Sequence, residues 1–336
     1  MGRTGIRMIL CPAAWCYKHV IMSLLALIQT RASGGTPPVY RRLKYRFIFN
    51  PRSGQNARNP RLLQHTRDFI AAHQLDAIVV STERPHHATE LARRAVDEGC
   101  AVVVAIGGDG TMNEVGTALA GSQTVLGLIP CGSGNGLGRH LGIYGPTRHV
   151  FHTLRTGRIR CIDTGTANGH PFFNAMGLGF DAEISNHFAR LTQRGFTAYV
   201  RTTLATWRRF QPVAITVQTD TAHLDFSALI VAVANSDQYG NDCYIAPGAC
   251  VDDGLLDLTV IKPTGLVAAL PLAVRLFAGR LDGSPQVTRL RAARFTIGRA
   301  APGLIHTDGE CHFTAAAVEV TVRPQSLRVL VPATSD

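Results

Sequence analysis

A chain of 336 residues with 46% hydrophobic content can bury the cores of about two ordinary domains, which excludes disorder as its main theme. Lys and Arg number 34 against 23 Asp and Glu, so 34 − 23 = +11, a balance that favours an anionic partner such as nucleic acid, a nucleotide or an acidic membrane surface. With 2 Trp, 7 Tyr and no basic run interleaved with aromatics, a nucleic-acid platform is disfavoured. The cysteines at 11, 16, 100, 131, 161, 243, 250 and 311 form no Cys-x-x-Cys pair and no zinc spacing, so a reduced, cytoplasmic setting is expected.

Residues 1–44 differ from the rest. Arg3, Arg7, Lys18 and His19 surround two apolar stretches, Met8 to Trp15 and Val20 to Ile28. The longer has nine residues, whereas a spanning helix needs roughly twenty. A secretory signal, an interfacial anchor and an extension upstream of a start such as Met22 are the available readings, of which the last two are favoured. Gly34 to Pro38 reads as a linker, and the fold is expected from Tyr45.

Arg46 to Phe49 is a short strand ending in the turn Asn50-Pro51-Arg52-Ser53-Gly54, followed by a helix over Arg61 to His73. Ala77 to Thr82 reads as a second strand. Ala88, Leu91, Ala92, Ala95 and Val96 share one helical face before Gly99. Ala101 to Ile106 is apolar throughout, as in a strand covered on both faces, and runs into Gly107-Gly108-Asp109-Gly110-Thr111 and a helix from Met112. Val125 to Ile129 repeats the design and ends in Pro130-Cys131-Gly132-Ser133-Gly134-Asn135-Gly136. Alternating strands and helices imply a parallel sheet, whose strand ends share one edge, so three glycine-bearing turns can converge on one ligand. Glycine permits close backbone approach and helix N-terminal amides suit phosphate, which points to a nucleotide. Neither a P-loop nor a Gly-x-Gly-x-x-Gly fingerprint stands at these turns.

Beyond Arg160 the pattern changes. Arg160 to Ala167 and Pro171 to Ala175 flank Asn168-Gly169, a hairpin signal. Val213, Ile215 and Val217 alternate with polar or small residues, and Leu229 to Ala234, Leu256 to Ile261, Phe295 to Gly298 and Val318 to Val322 continue an antiparallel, sandwich-like theme. Leu266 to Leu281, with Arg275 and Arg280 near its end, reads as a core helix on a sheet or as the lining of an acyl-chain entrance. Asp252-Asp253-Gly254 and Asp308-Gly309 are turn signals, although an extended chain at the second would turn Asp308 and Glu310 to one face as paired acids. Asp181 either caps a helix starting near Ile184 or faces a ligand.

Gly107 to Val115 resembles the signature of the diacylglycerol kinase catalytic-domain family, which includes bacterial lipid kinases and sphingoid-base kinases. Asn50 to Gly54, Pro130 to Asn135, Asn174 to Asp181 and His306 to Glu310 are similar to its other blocks, in order. The resemblance implies an ATP-dependent lipid kinase acting on a diacylglycerol-type hydroxyl, in phospholipid biosynthesis, cytoplasmic and peripheral to the membrane, with an anionic surface as partner and a homodimer possible. It implies an α/β ATP-binding domain over residues 45–160 plus about 320–336 and a β-sandwich lipid domain over 161–319. ATP contacts would fall on Asn50, Pro51, Arg52, Ser53, Gly54, Thr82, Gly108, Asp109, Gly110, Thr111, Met112, Asn113, Glu114 and Ser133. Magnesium would use the Asp253 carboxylate with the carbonyls of Cys250 and Leu255, a weak, watery site. Glu310, or else Asp308, would be the base, Asp109 would help hold magnesium and triphosphate, and Asp181 would meet the lipid head group. Gly136 replaces the acid usual at the end of the third turn, as in the sphingoid-base branch, so a sphingoid-base kinase stands as the alternative. An NAD kinase-like enzyme and a non-catalytic nucleotide-binding regulator are further ones.

Overall fold

The computed structural model describes residues 43–54, 56, 61–189, 206 and 210–333. The basic, apolar leader lies outside the described residues. Strand β1 (Lys44–Phe49) is followed by α1 (Arg61–Ala72), β2 (Asp76–Ser81), α2 (His87–Asp97), β3 (Val102–Gly107), α3 (Asp109–Leu119) and β4 (Val125–Pro130). These strands are parallel in the order β2-β1-β3-β4, with Phe47 registered against Val79 on one side and Val104 on the other. Every residue of β3 is buried, as expected where helices cover both faces. Helix α3 begins at Asp109 rather than Met112, because the turn closes within two glycines and the chain is helical as soon as it leaves Gly108.

After short α4 (Gly136–His140) and α5 (Thr147–Thr156), the chain enters β5 (Arg158–Ala167), β6 (His170–Phe172) and β7 (Ala175–Gly179). Asn168 and Gly169 both have positive φ, 45° and 83°, the tight hairpin expected between β5 and β6. The strand read over Pro171 to Ala175 is divided, since Phe173 leaves the ladder to join the first core. Helix α6 (Phe180–Ala189) begins four residues before Ile184, which places Asp181 in its first turn and not at a cap. Then come β8 (Val213–Gln218), β9 (His223–Ala228), β10 (Ile230–Ala234), β11 (Leu256–Ile261), α7 (Leu266–Phe277), β12 (Val287–Ala292), β13 (Arg294–Arg299), β14 (Gly303–Thr307), β15 (Glu310–Thr314) and β16 (Ala317–Val331).

The last strand, fifteen residues long, organises the rest. Its C-terminal end pairs in parallel with β4, while β5 runs antiparallel along its length across a register shift between Arg323 and Leu327. Its N-terminal end pairs with β13, which leads on to β8 and β9, so the parallel sheet continues without a break into an antiparallel one. A second, antiparallel sheet in the order β12-β11-β10-β7-β14-β15 packs over that extension. Phe172, Met176, Val217, Val231, Leu258, Phe295 and Val320 fill the space between the two sheets. The architecture is a mainly parallel α/β sheet followed by an antiparallel β-sandwich.

Phe172 stands on its cross-strand partner Gly165, where an added Cβ would lie 2.1 Å from the ring. Because this ring is fully buried, Phe172→Ala is expected to lower stability by about 3–5 kcal/mol, read by urea unfolding.

Candidate functional site

The three glycine turns meet. A Cβ on Gly132 would lie 2.7 Å from the Cα of Gly108, and one on Gly108 3.1 Å from the Cα of Gly132, so glycine lets the second and third turns approach, with the Ser53 Oγ in ordinary contact beside them. Asn50 donates from Nδ2 to Thr111 Oγ1 at 2.9 Å, and its backbone N–H donates to the Ile106 carbonyl at 3.0 Å. Buried Asn56 donates to the carbonyls of Asn50, at 2.8 Å, and Ile106, at 3.3 Å, holding the first turn against β3. Thr82 joins this edge through its N–H to the Phe49 carbonyl, 2.9 Å. Ser133 and Arg52 are exposed beside it, and Met112 lines a narrow crevice behind Gly108 and Asp109. Helix α3 has no side-chain cap at Gly108, and Gly110 in its first turn is exposed.

Asp109 serves the third turn. Its two carboxylate oxygens accept the backbone N–H groups of Asn135, 2.9 Å, and Gly136, 3.0 Å. Burial pushes its carboxyl up, these N–H groups pull it back, and the nearby Asp308 raises it again. Asn135 completes the turn by accepting the Gly132 N–H at 2.9 Å and donating to the Gly132 carbonyl at 2.8 Å.

Asp308 and Gly309 form a tight turn between β14 and β15, with φ of 50° and 87°, which corrects the expectation of an extended chain there. From this position the Asp308 carboxylate accepts four N–H groups: Asn113 Nδ2 at 2.8 Å and the backbones of Phe173, 2.9 Å, Asn174, 2.9 Å, and Ala175, 3.0 Å. Burial drives this carboxyl up, and the four donors oppose it. Glu310, two residues on, is different. Its side chain is 42% exposed and its ion-pair partner is His86 Nε2 at 3.6 Å. His86 stands with φ of 60° just before α2, where Glu114 takes both the His86 N–H, 3.2 Å, and the Ala88 N–H, 2.9 Å. Glu114 thus caps α2 and fixes His86 beside Glu310. Nothing in the sequence singled out His86; a histidine in the left-handed region before a helix carries no pattern of its own.

Further histidines gather nearby. His312 stacks on His170 with ring centroids 3.9 Å apart and bonds Thr307 Oγ1 at 2.9 Å. Burial first, then the neighbouring imidazoles, lower its pKa to about 4. Asp181, buried, is held by the Tyr239 hydroxyl and by His306 Nε2 at 2.8 Å. Burial opposes a charge on His306, but Asp181 outweighs it and raises the imidazole.

The loop expected to hold magnesium is ion-paired. Asp253 accepts the Leu255 N–H on one oxygen, 3.0 Å, and pairs with Arg291 on the other. Asp252 is gripped by Arg160 through two bonds of 2.8 and 2.9 Å, and Cys250 donates its thiol to Asp252. Among the described residues no group of three or more His, Cys, Asp or Glu side chains is gathered to hold a metal. The Asp253 carboxylate, to which the resemblance assigns magnesium with the carbonyls of Cys250 and Leu255, thus already carries one N–H and one guanidinium.

Asp308→Asn would set an amide NH2 among four donors and is expected to cost about 2–4 kcal/mol in urea unfolding, whereas exposed Glu310→Gln should change stability by less than about 0.5 kcal/mol. For His312 the folded state disfavours the imidazolium. Its contribution is therefore whole above about 6.5 and is lost as pH falls toward about 4. Unfolding measured across that range should show the wild type losing more stability than His312→Asn.

Two sequence profiles match the chain, the diacylglycerol kinase catalytic domain over residues 44–167 and the YegS C-terminal NAD kinase beta sandwich-like domain over 174–331. A Bacillus subtilis protein named "Diacylglycerol kinase" is 28% identical over 275 residues, covering 79% of this chain and 89% of the relative. A Pseudomonas fluorescens protein named "Probable lipid kinase YegS-like" is 30% identical over 251 residues, covering 73% of this chain and 82% of the relative. A crystal structure of a diacylglycerol kinase from Bacillus anthracis superimposes with a TM-score of 0.65 at 20% identity, over 86% of this chain and 96% of that one, and so shares its fold. With both profiles in order along one chain and this level of identity over most of its length, the protein belongs to the diacylglycerol kinase catalytic-domain family of YegS-like lipid kinases.

Proposed function

We propose that the protein transfers the γ-phosphoryl group of ATP to a hydroxyl of a membrane lipid of the diacylglycerol type. The observation that carries this reading is the division of labour between Asp308 and Glu310: the first is consumed by four N–H bonds, while the second is 42% exposed and, among the described residues, paired only with His86, just ahead of α2. Glu310 takes the proton of the lipid hydroxyl as its oxygen attacks the γ-phosphorus and the bridging bond to the β-phosphate breaks, releasing ADP. Backbone amides at the start of α3 and the turns at Ser53 and Ser133 cradle the triphosphate, which arrives as its magnesium complex. Asp109 acts at one remove, by holding Asn135 and Gly136 in place. Asn113 and Glu114 act likewise through Asp308 and His86.

The Asp181 environment favours an uncharged acceptor. Its carboxylate is already paired with His306 and the Tyr239 hydroxyl, so the ammonium of a sphingoid base would meet a compensated charge. The NAD alternative has the β-sandwich likeness in its favour, which belongs to the fold.

Incubation with labelled ATP and a panel of diacylglycerol, monoacylglycerol, ceramide, sphingosine and NAD is expected to label diacylglycerol most strongly. Labelled NAD without labelled lipid would overturn the reading. Glu310→Gln should lower kcat by about 10²–10⁴ while the fold is retained. Asp109→Asn should lower activity together with stability, because its effect passes through the third turn.

A further inference from the structure

Half of the eight large hydrophobic side chains that stand exposed among the described residues lie on one helix, α7: Val267 at 91%, Leu270 at 70%, Val274 at 63% and Phe277 at 46% exposure. Their spacing of three, four and three residues sets them in one stripe along the helix. The opposite side already has its partner. Leu272 and Leu276 pack on Ile245, Ile261 and Leu281 at the outer face of the second sheet. An ordinary surface helix turns polar residues outward, and α7 does not.

The rim of the stripe is basic. From Lys262 to Leu281 there is no acidic residue, and Lys262, Arg275 and Arg280 are all exposed. The nearest acid, Asp282, has its carboxylate engaged by Arg289 at 2.9 Å. Apolar side chains ringed by cations complement a bilayer surface rich in anionic head groups, where each gains from a different depth. Twelve residues of helix measure about 18 Å, against about 30 Å of hydrocarbon, and one side is fastened to the sheet, so α7 lies along a membrane and does not enter it end-on. No helix among the described residues is long and apolar enough to cross.

We infer that the outward face of α7, Val267, Leu270, Val274 and Phe277 flanked by Lys262, Arg275 and Arg280, is the surface by which this protein docks on anionic membranes. The inference gives a partner surface to the lipid-kinase reading and takes its purpose from it. Tyr239 packs in the cluster beneath α7 and its hydroxyl reaches Asp181, so the side of α7 fastened to the sheet connects through Tyr239 to the residue that would meet the lipid head group.

The test uses the full chain sedimented with vesicles of phosphatidylcholine alone or mixed with phosphatidylglycerol. The wild type should bind the mixed vesicles and release in high salt. Leu270→Ser with Val274→Ser should weaken partitioning at least about tenfold with unchanged thermal unfolding, since both side chains are exposed. Arg275→Gln with Arg280→Gln should weaken it about fivefold per arginine, and only at low salt. Turnover of a water-soluble short-chain diacylglycerol should be the same in all of these proteins. Equal vesicle binding by wild type and the Leu270/Val274 variant would overturn the inference, as would a wild-type dimer that this variant dissociates. Binding that depends on α7 in a chain that phosphorylates no lipid would uphold the docking face while ending the kinase reading.

Discussion

One carboxylate joins the halves of this molecule. Asp308, at the tip of a hairpin of the second sheet, accepts one N–H from α3 and three from the segment that connects the two cores. Four donors on two oxygens leave it little freedom, and the cost of burying its charge is offset only while all four remain in place. The tip is therefore locked against α3 and the connecting segment, and Glu310 two residues later inherits that position. Asp109 makes a comparable tie on the other side, from the second turn to the third. Acids that a family pattern would assign to chemistry are here used first for geometry.

The site is built from close backbone contact more than from side chains. Gly108 faces Gly132, and on the far side Gly240, with φ of 113°, lies so close to Gly134 that an added Cβ would be 2.5 Å from its carbonyl oxygen. The loop after β10 is thereby pressed on the third turn, bringing Tyr239 and Asp181 to the neighbourhood of the edge where the glycine turns meet.

What the sequence made legible follows the range of the interactions. The strand, turn and helix succession of the first half could be read because apolar runs and glycine turns are local signals, and β3, buried at every position, is the clearest case. The pairing of Asn113 with Asp308 spans 195 positions and leaves no local trace. Strand β9 was missed because its residues are mostly exposed at a sheet edge and lack alternation. The true length of β16 was hidden by Arg323-Pro324-Gln325, which reads as an end; the chain instead bulges there, with Gln325 at φ 47° and its N–H held by Asp163 at 2.7 Å. Resemblance to relatives pointed to the acids near residue 310 but not to their different surroundings, four N–H donors on Asp308 and a histidine beside Glu310.

The place of β16 after all of its partner strands in chain order has a consequence for synthesis. Strand β4, nearly all buried in the finished protein, borders β3 on one side and β16 on the other, so its second edge stays bare until the ribosome has made β16. A similar delay holds for β5, whose long partner is also β16. A nascent chain of this protein carries open apolar edges from the completion of β4 to that of β16, and its two halves gain their shared seam together, in one closing step.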